Sequence, residues 1–134
     1  MPTVSSVDPP LTEPVAEKLL DLFEHGDVLA RARSLGVVTR ARLDRLAAAY
    51  PGHVTDVRGL GAMLAIEFRS GADASGKSLA QRVVASAFEH GLVALTAGPK
   101  ANALRILVPL LASEDELTRG FAALERACEH VLNT

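Results

Sequence analysis

The stretch that most constrains the fold of this chain is Asp56-Val57-Arg58-Gly59-Leu60-Gly61-Ala62-Met63-Leu64-Ala65-Ile66-Glu67-Phe68. A short apolar run preceded by two glycines reads as a buried strand whose opening is bent and closely packed. Helical periodicity fills the sequence before it. A helix–strand–strand–helix pattern follows it, so the stretch marks where a sheet begins.

Upstream, residues 1–11 hold three prolines and little pattern, and residues 1–14 are expected to form a flexible N-terminal arm. Thr12 is placed to cap a helix with Pro14 in its first turn, where a missing N–H costs nothing. That helix carries Val15, Leu19, Leu22 and Phe23 on one side and ends at Gly26. Asp27 then caps a longer helix. Its stripe of Leu29, Ala32, Gly36, Thr39, Leu43, Leu46 and Tyr50 steps by threes and fours until Pro51-Gly52. The stripe can pack on the chain's own sheet or seed a coiled coil. Gly36 marks either a bend or a close approach of another backbone.

Downstream, Ser70–Gly76 reads as a loop, and Ser75 or Ser78 caps a helix with Leu79, Val83, Ala87 and Phe88 inward, closed by Gly91. Leu92–Thr96 and Ala103–Val108 read as strands around a turn-rich loop. Ser113 with Glu116 makes a capping box before Leu117, Phe121, Leu124, Cys128 and Val131 step down a last helix. Residues 15–134 thus form one domain, an α/β fold (an α+β two-layer sandwich) with a small sheet of about three strands covered by helices.

Charge and chemistry exclude several classes. A net charge of −2 with both signs mixed argues against a nucleic-acid or anionic-membrane surface. One cysteine rules out an internal disulfide. No apolar run approaches ~18 residues, and residues 1–16 lack the regions of a signal peptide, so a cytoplasmic protein is expected. Phosphate-loop, zinc-hydrolase and nucleophile-elbow motifs are absent. His25, His53, His90 and His130 are scattered at helix ends and loops, and no metal site is expected. Cys128 lies in its helix's apolar stripe as a core thiol. Lys77 and Lys100 fall in exposed turns, where nothing lowers an ammonium pKa toward Schiff-base chemistry. Arg105 is different. It shares one strand face with Ala103 and Leu107, where a guanidinium needs an anion. That anion is either a carboxylate ligand or an internal partner such as Glu67.

Two runs carry a family resemblance. Val57–Phe68 resembles the strand that opens the C-terminal small domain of class III pyridoxal-phosphate aminotransferases, with spelling closest to the 4-aminobutyrate (GABA) aminotransferases. Asn102-Ala103-Leu104-Arg105-Ile106-Leu107-Val108-Pro109-Leu110 resembles that family's second landmark, and the resemblance spans roughly residues 17–134. It implies that Arg105 binds the substrate carboxylate, as of glutamate or 2-oxoglutarate, and that Arg58 has a structural or near-site role.

The departures are equally informative. In the family, a large domain carries the Schiff-base lysine, the ring-nitrogen aspartate and most phosphate contacts. None of these is in this sequence, so pyridoxal phosphate is expected only where a large domain supplies its site, and no catalytic or cofactor-binding residue is assigned here. The resemblance therefore implies a domain or fragment of an amino-group transferase that does not transaminate alone. The alternative is a stand-alone module that binds an amino or keto acid, by analogy with ferredoxin-like sensors. Expected partners are an aminotransferase large domain, or a second copy docked through the stripe of the long helix.

Overall fold

The computed structural model describes residues 9–72 and 74–133. Asp56–Phe68 forms two strands rather than one: β1 (Val54–Leu60) and β2 (Met63–Phe68) pair antiparallel with Leu60 opposite Met63. Gly61 turns the chain between them at φ +56°, in the left-handed region that hairpin turns use. The second glycine therefore ends a strand.

The remaining elements are α1 (Pro9–His25), α2 (Val28–Ala49), α3 (Gly76–Glu89), β3 (Leu95–Ala97), β4 (Ala103–Leu107) and α4 (Glu114–Leu132). The sheet has four strands in the order β1-β2-β4-β3, all antiparallel, one more than the single-strand reading of residues 56–68 allows. The α/β two-layer class holds, with α2, α3 and α4 in contact with one another or with the sheet. α1 starts at Pro9, so Thr12 lies inside the helix and residues 9–14 of the expected arm are helical. Residues 1–8 of that arm lie outside the described residues.

The core forms where helix stripes meet one face of the sheet. Val57, Leu64, Ile66, Phe68 and Leu104 pack with Leu35, Leu43, Val83, Leu124 and Cys128. The α2 stripe is buried at Leu35, Gly36, Thr39, Leu43 and Leu46, which settles the choice between sheet and coiled coil in favour of the chain's own sheet. That stripe is therefore not a face for a second copy. Gly36 is the close approach: a Cβ there would lie 2.6 Å from the carbonyl carbon of Gly61 and nearer still to its oxygen.

Asp27 stands at the start of α2 as expected, but its side chain makes no capping hydrogen bond. At α3 and α4 the serines do cap, and of Ser75 and Ser78 it is Ser75. Ser75 Oγ accepts from Ser78 N at 3.1 Å and starts α3. Ser113 and Glu116 form the reciprocal box that starts α4. Phe88 departs from expectation and is exposed. At 100° per residue it lies half a turn from Leu79, and Ala80 and Ser86 take the inward places.

Candidate functional site

Strand alternation sorts the sheet into two faces. On β2 it buries Leu64, Ile66 and Phe68 against the helices and turns Met63, Ala65 and Glu67 the other way. On β4 it places Arg105 and Leu107 on that second face, with Arg105 opposite Ala65 and Leu107 opposite Met63. β1 adds Asp56, Arg58 and Leu60, and β3 adds Leu95 beside Arg105. No described helix covers this face, and Leu60, Met63, Leu95 and Leu107 are each more than half exposed.

Arg58 and Arg105 lie in one row on either side of Ala65, two strand spacings or roughly 10 Å apart. Their electrostatics differ. Arg58 Nη1 binds Glu67 Oε2 at 2.6 Å and Asp56 Oδ2 at 3.1 Å. Asn102 Nδ2 donates to Glu67 Oε1 at 3.2 Å and to the carbonyl of Phe68 at 3.1 Å. The Arg58 hydrogen bond, then that from Asn102, holds the Glu67 carboxyl below the usual range, and the same contacts push the Arg58 pKa up.

The Arg105 guanidinium has no hydrogen bond or ion pair to any described residue. The internal Arg105–Glu67 pair is therefore not formed. Glu67 stands opposite Ala103, one pleat repeat away from Arg105, while Arg58 reaches it from the other side. A guanidinium with all its donors free, on a face with Met63, Leu95 and Leu107, can hold a carboxylate by two parallel hydrogen bonds.

Reading residues 56–68 as one strand hid the Arg58–Glu67–Asn102 network. The usable signal was Gly59-Leu60-Gly61: split there, Arg58 and Glu67 fall on the same face of two neighbouring strands. The sequence reading also missed a groove of about 580 Å³ beside β4, lined by Leu92, Ile106, Pro109, Leu117 and Phe121 with Arg105 on its margin.

Pyridoxal phosphate does not fit these residues as a site of their own. Lys18, Lys77 and Lys100 are all exposed, and none lines the groove. Among the described residues, no group of three His, Cys, Asp or Glu could hold a metal ion. His25 pairs with Asp21 at the end of α1, and His90 caps α3 against the carbonyl of Ser86.

The aminotransferase class-III family model matches residues 8–128. The 5-aminovalerate aminotransferase of Pseudomonas putida is 38% identical over 117 residues, which are 87% of this chain and 27% of that protein. The 4-aminobutyrate aminotransferase of Escherichia coli is 35% identical over 119 residues, 87% of this chain and 28% of that protein. The lysine aminotransferase from M. tuberculosis superposes with a TM-score of 0.74 at 30% identity, over 87% of this chain and 25% of that one. The chain thus spans about a quarter of the length of the relatives it matches. Relatives named for 5-aminovalerate, 4-aminobutyrate and acetylornithine match at 38%, 35% and 32% identity, a spread that does not single out the 4-aminobutyrate enzymes.

Proposed function

The chain belongs to the class-III aminotransferases, and from that premise we propose that it serves as a small domain whose open sheet face completes an amino-group transfer site. In this reading a large domain, joined or separate, supplies the reactive lysine and holds pyridoxal phosphate, which provides the electron sink. This chain supplies Arg105 to bind and orient the carboxylate of an amino or 2-oxo acid, with glutamate and 2-oxoglutarate as the leading pair and 4-aminobutyrate as the leading amine. Docking would also cover Leu60, Met63 and Leu95 and exclude water around the bound carboxylate. A cytoplasmic setting suits a lone buried thiol.

The observation that carries this reading is the contrast within one row of the sheet. Arg58 is neutralised by two carboxylates, whereas Arg105 is exposed with no anion. An exposed guanidinium–carboxylate contact in water contributes about 0–1 kcal/mol, so affinity of the chain alone should be millimolar or weaker. Enclosure by a large domain would raise it by removing water.

Nuclear magnetic resonance titration with 2-oxoglutarate suits such weak binding. Amide shifts should concentrate on β2, β3 and β4 around Arg105 and vanish in Arg105→Ala, while the diamide of the same acid produces none. Identical shifts in wild type and Arg105→Ala would refute the carboxylate role. Micromolar binding by the chain alone would instead favour a stand-alone module.

A further inference from the structure

Only part of the outer edge of β4 is paired. Its ladder to β3 ends at Arg105 opposite Leu95, and residues 92–94, which lead into β3, take no strand pairing. The groove of about 580 Å³ opens there, between residues 92–94, residues 106–108 and the α4 positions Leu117, Gly120 and Phe121. Both faces of β4 contribute. Arg105 and Leu107 come from the open face and Ile106 from the side packed on the core, so the groove passes round the strand edge toward α4. Its volume lies in the range of about 300–1,000 Å³ in which small molecules bind.

Two features keep this space open. Arg31 reaches from α2 to the loop after β4, where Nη2 donates to the carbonyl of Ala112 at 2.6 Å and Nε to that of Leu110 at 3.2 Å. The wall formed by Pro109, Leu111 and Ala112 is thereby tied to the helical layer. Gly120 lies in the interior of α4, where glycine weakens a helix relative to alanine. Close packing does not demand it, because a Cβ there would meet only Leu92 Cδ1, at 3.8 Å. The missing side chain leaves room in the groove.

Two charged residues line the groove, and they are not equivalent. Glu116 Oε2 already accepts from Ser113 N at 2.8 Å and Ser113 Oγ at 2.9 Å, and these bonds hold its carboxyl below the usual range. The Arg105 guanidinium is free. An anion is therefore drawn to the Arg105 end and repelled from the Glu116 end. Every other lining residue has an apolar side chain or none.

We propose that this groove binds a medium-length aliphatic monocarboxylate, such as octanoate, with its carboxylate on Arg105 and its chain running past Ile106 toward Phe121. The inference rests on the carboxylate role proposed for Arg105 and gives that residue a second class of ligand. A dicarboxylate gains nothing from the groove, because its second charge would enter apolar surroundings without a partner.

Nuclear magnetic resonance titration of the 134-residue chain with butanoate, hexanoate and octanoate tests this. Amide shifts should fall on β4, on residues 92–94 and on the first two turns of α4. An open groove buries each methylene only in part, so octanoate should bind roughly fifteenfold to eightyfold more tightly than butanoate. Octanamide has the same chain and no charge, and should bind about threefold more weakly than octanoate. Arg105→Ala should abolish that preference. Gly120→Leu fills the groove and should weaken octanoate by about tenfold while the shifts caused by 2-oxoglutarate around Arg105 persist. Gly120→Ala should weaken octanoate slightly and raise the urea midpoint, which separates lost binding from lost folding.

Equal binding of butanoate and octanoate, with 2-oxoglutarate still shifting residues around Arg105, would overturn the groove and leave the carboxylate role standing. Equal binding of octanoate and octanamide would overturn both. Octanoate binding unchanged in Gly120→Leu would put the chain elsewhere and overturn the proposal. No response to any of the three acids, as for a groove that only a protein segment fills, would overturn it equally.

Discussion

Gly36→Ala sets two known effects against each other. Replacing a helix-interior glycine by alanine ordinarily stabilises a helix by about 1 kcal/mol. Here the added methyl would lie 2.6 Å from the carbonyl carbon and 3.0 Å from the Cα of Gly61, where ordinary contacts exceed 3.4 Å. These are backbone atoms of the β1–β2 turn, held by the ladder on both sides, so no side chain can swing aside. Either α2 or the turn must shift by several tenths of an ångström, and overpacking of this kind costs about 1–3 kcal/mol. The net expectation is a loss of roughly 1 kcal/mol, reaching about 2 if the turn is rigid. Urea unfolding followed by far-ultraviolet circular dichroism should show the midpoint lowered by about 0.5–1 M with an unchanged slope. Gly52→Ala is the control: nothing lies within 4 Å of its added methyl, and its midpoint should stay at or above that of wild type. A midpoint for Gly36→Ala equal to or higher than wild type would refute the reasoning, because the propensity gain would then have outweighed a contact argued to be rigid.

Three further outcomes follow from local contacts. Burial, reinforced by Glu125, pushes the Cys128 thiol up to about 12, so a thiol reagent near neutral pH should label it only on unfolding; fast labelling of the native chain would contradict its core position. Glu67 is held below its ordinary value in the fold, so its contribution to stability is present above the unfolded pKa and lost as pH falls through the folded one. Glu67→Gln should therefore flatten the decline of the urea midpoint below about pH 5, leaving the part due to Glu116, and an unchanged decline would exclude the Arg58 contact as its cause. Ser113→Ala removes the acceptor for the Glu116 amide and should cost about 1 kcal/mol, read as a lower midpoint; no loss would mean the cap is replaced by water.

How legible the fold was depended on the range of the interaction. The cap at Ser113 was readable, and that at Ser75 was narrowed to Ser75 or Ser78, because a cap and its partner lie within three residues. Asp27 offered the same local signal, yet its side chain makes no cap bond. The buried stripe of α4 was readable because periodicity reports which side of a helix is apolar. The hairpin was missed because Leu60 and Ala62–Ile66 run on as apolar or small residues, and this run hides the two-residue alternation that would separate β1 from β2. Arg105 could be singled out from its strand, but its freedom from Glu67 could not. That depends on register between strands far apart in sequence, where a shift of one residue moves every side chain to the other face. The periodicity of α1 likewise showed an apolar side without saying what covers it.

The edges of the sheet bear on how such a chain survives with an uncovered apolar face. β1 is one outer strand. Its register with β2 shifts between Val54 and Asp56, and it carries Asp56 and Arg58 along the part that follows. β3, the other, is only three residues long and runs straight into the Gly98-Pro99 turn. A kinked, charged strand and a stub are poor templates for another strand. Growth into fibrils by edge-on addition is thus disfavoured at both ends, even while Leu60, Met63 and Leu107 stay open to solvent. The sheet can present a sticky face and still resist amyloid-like stacking.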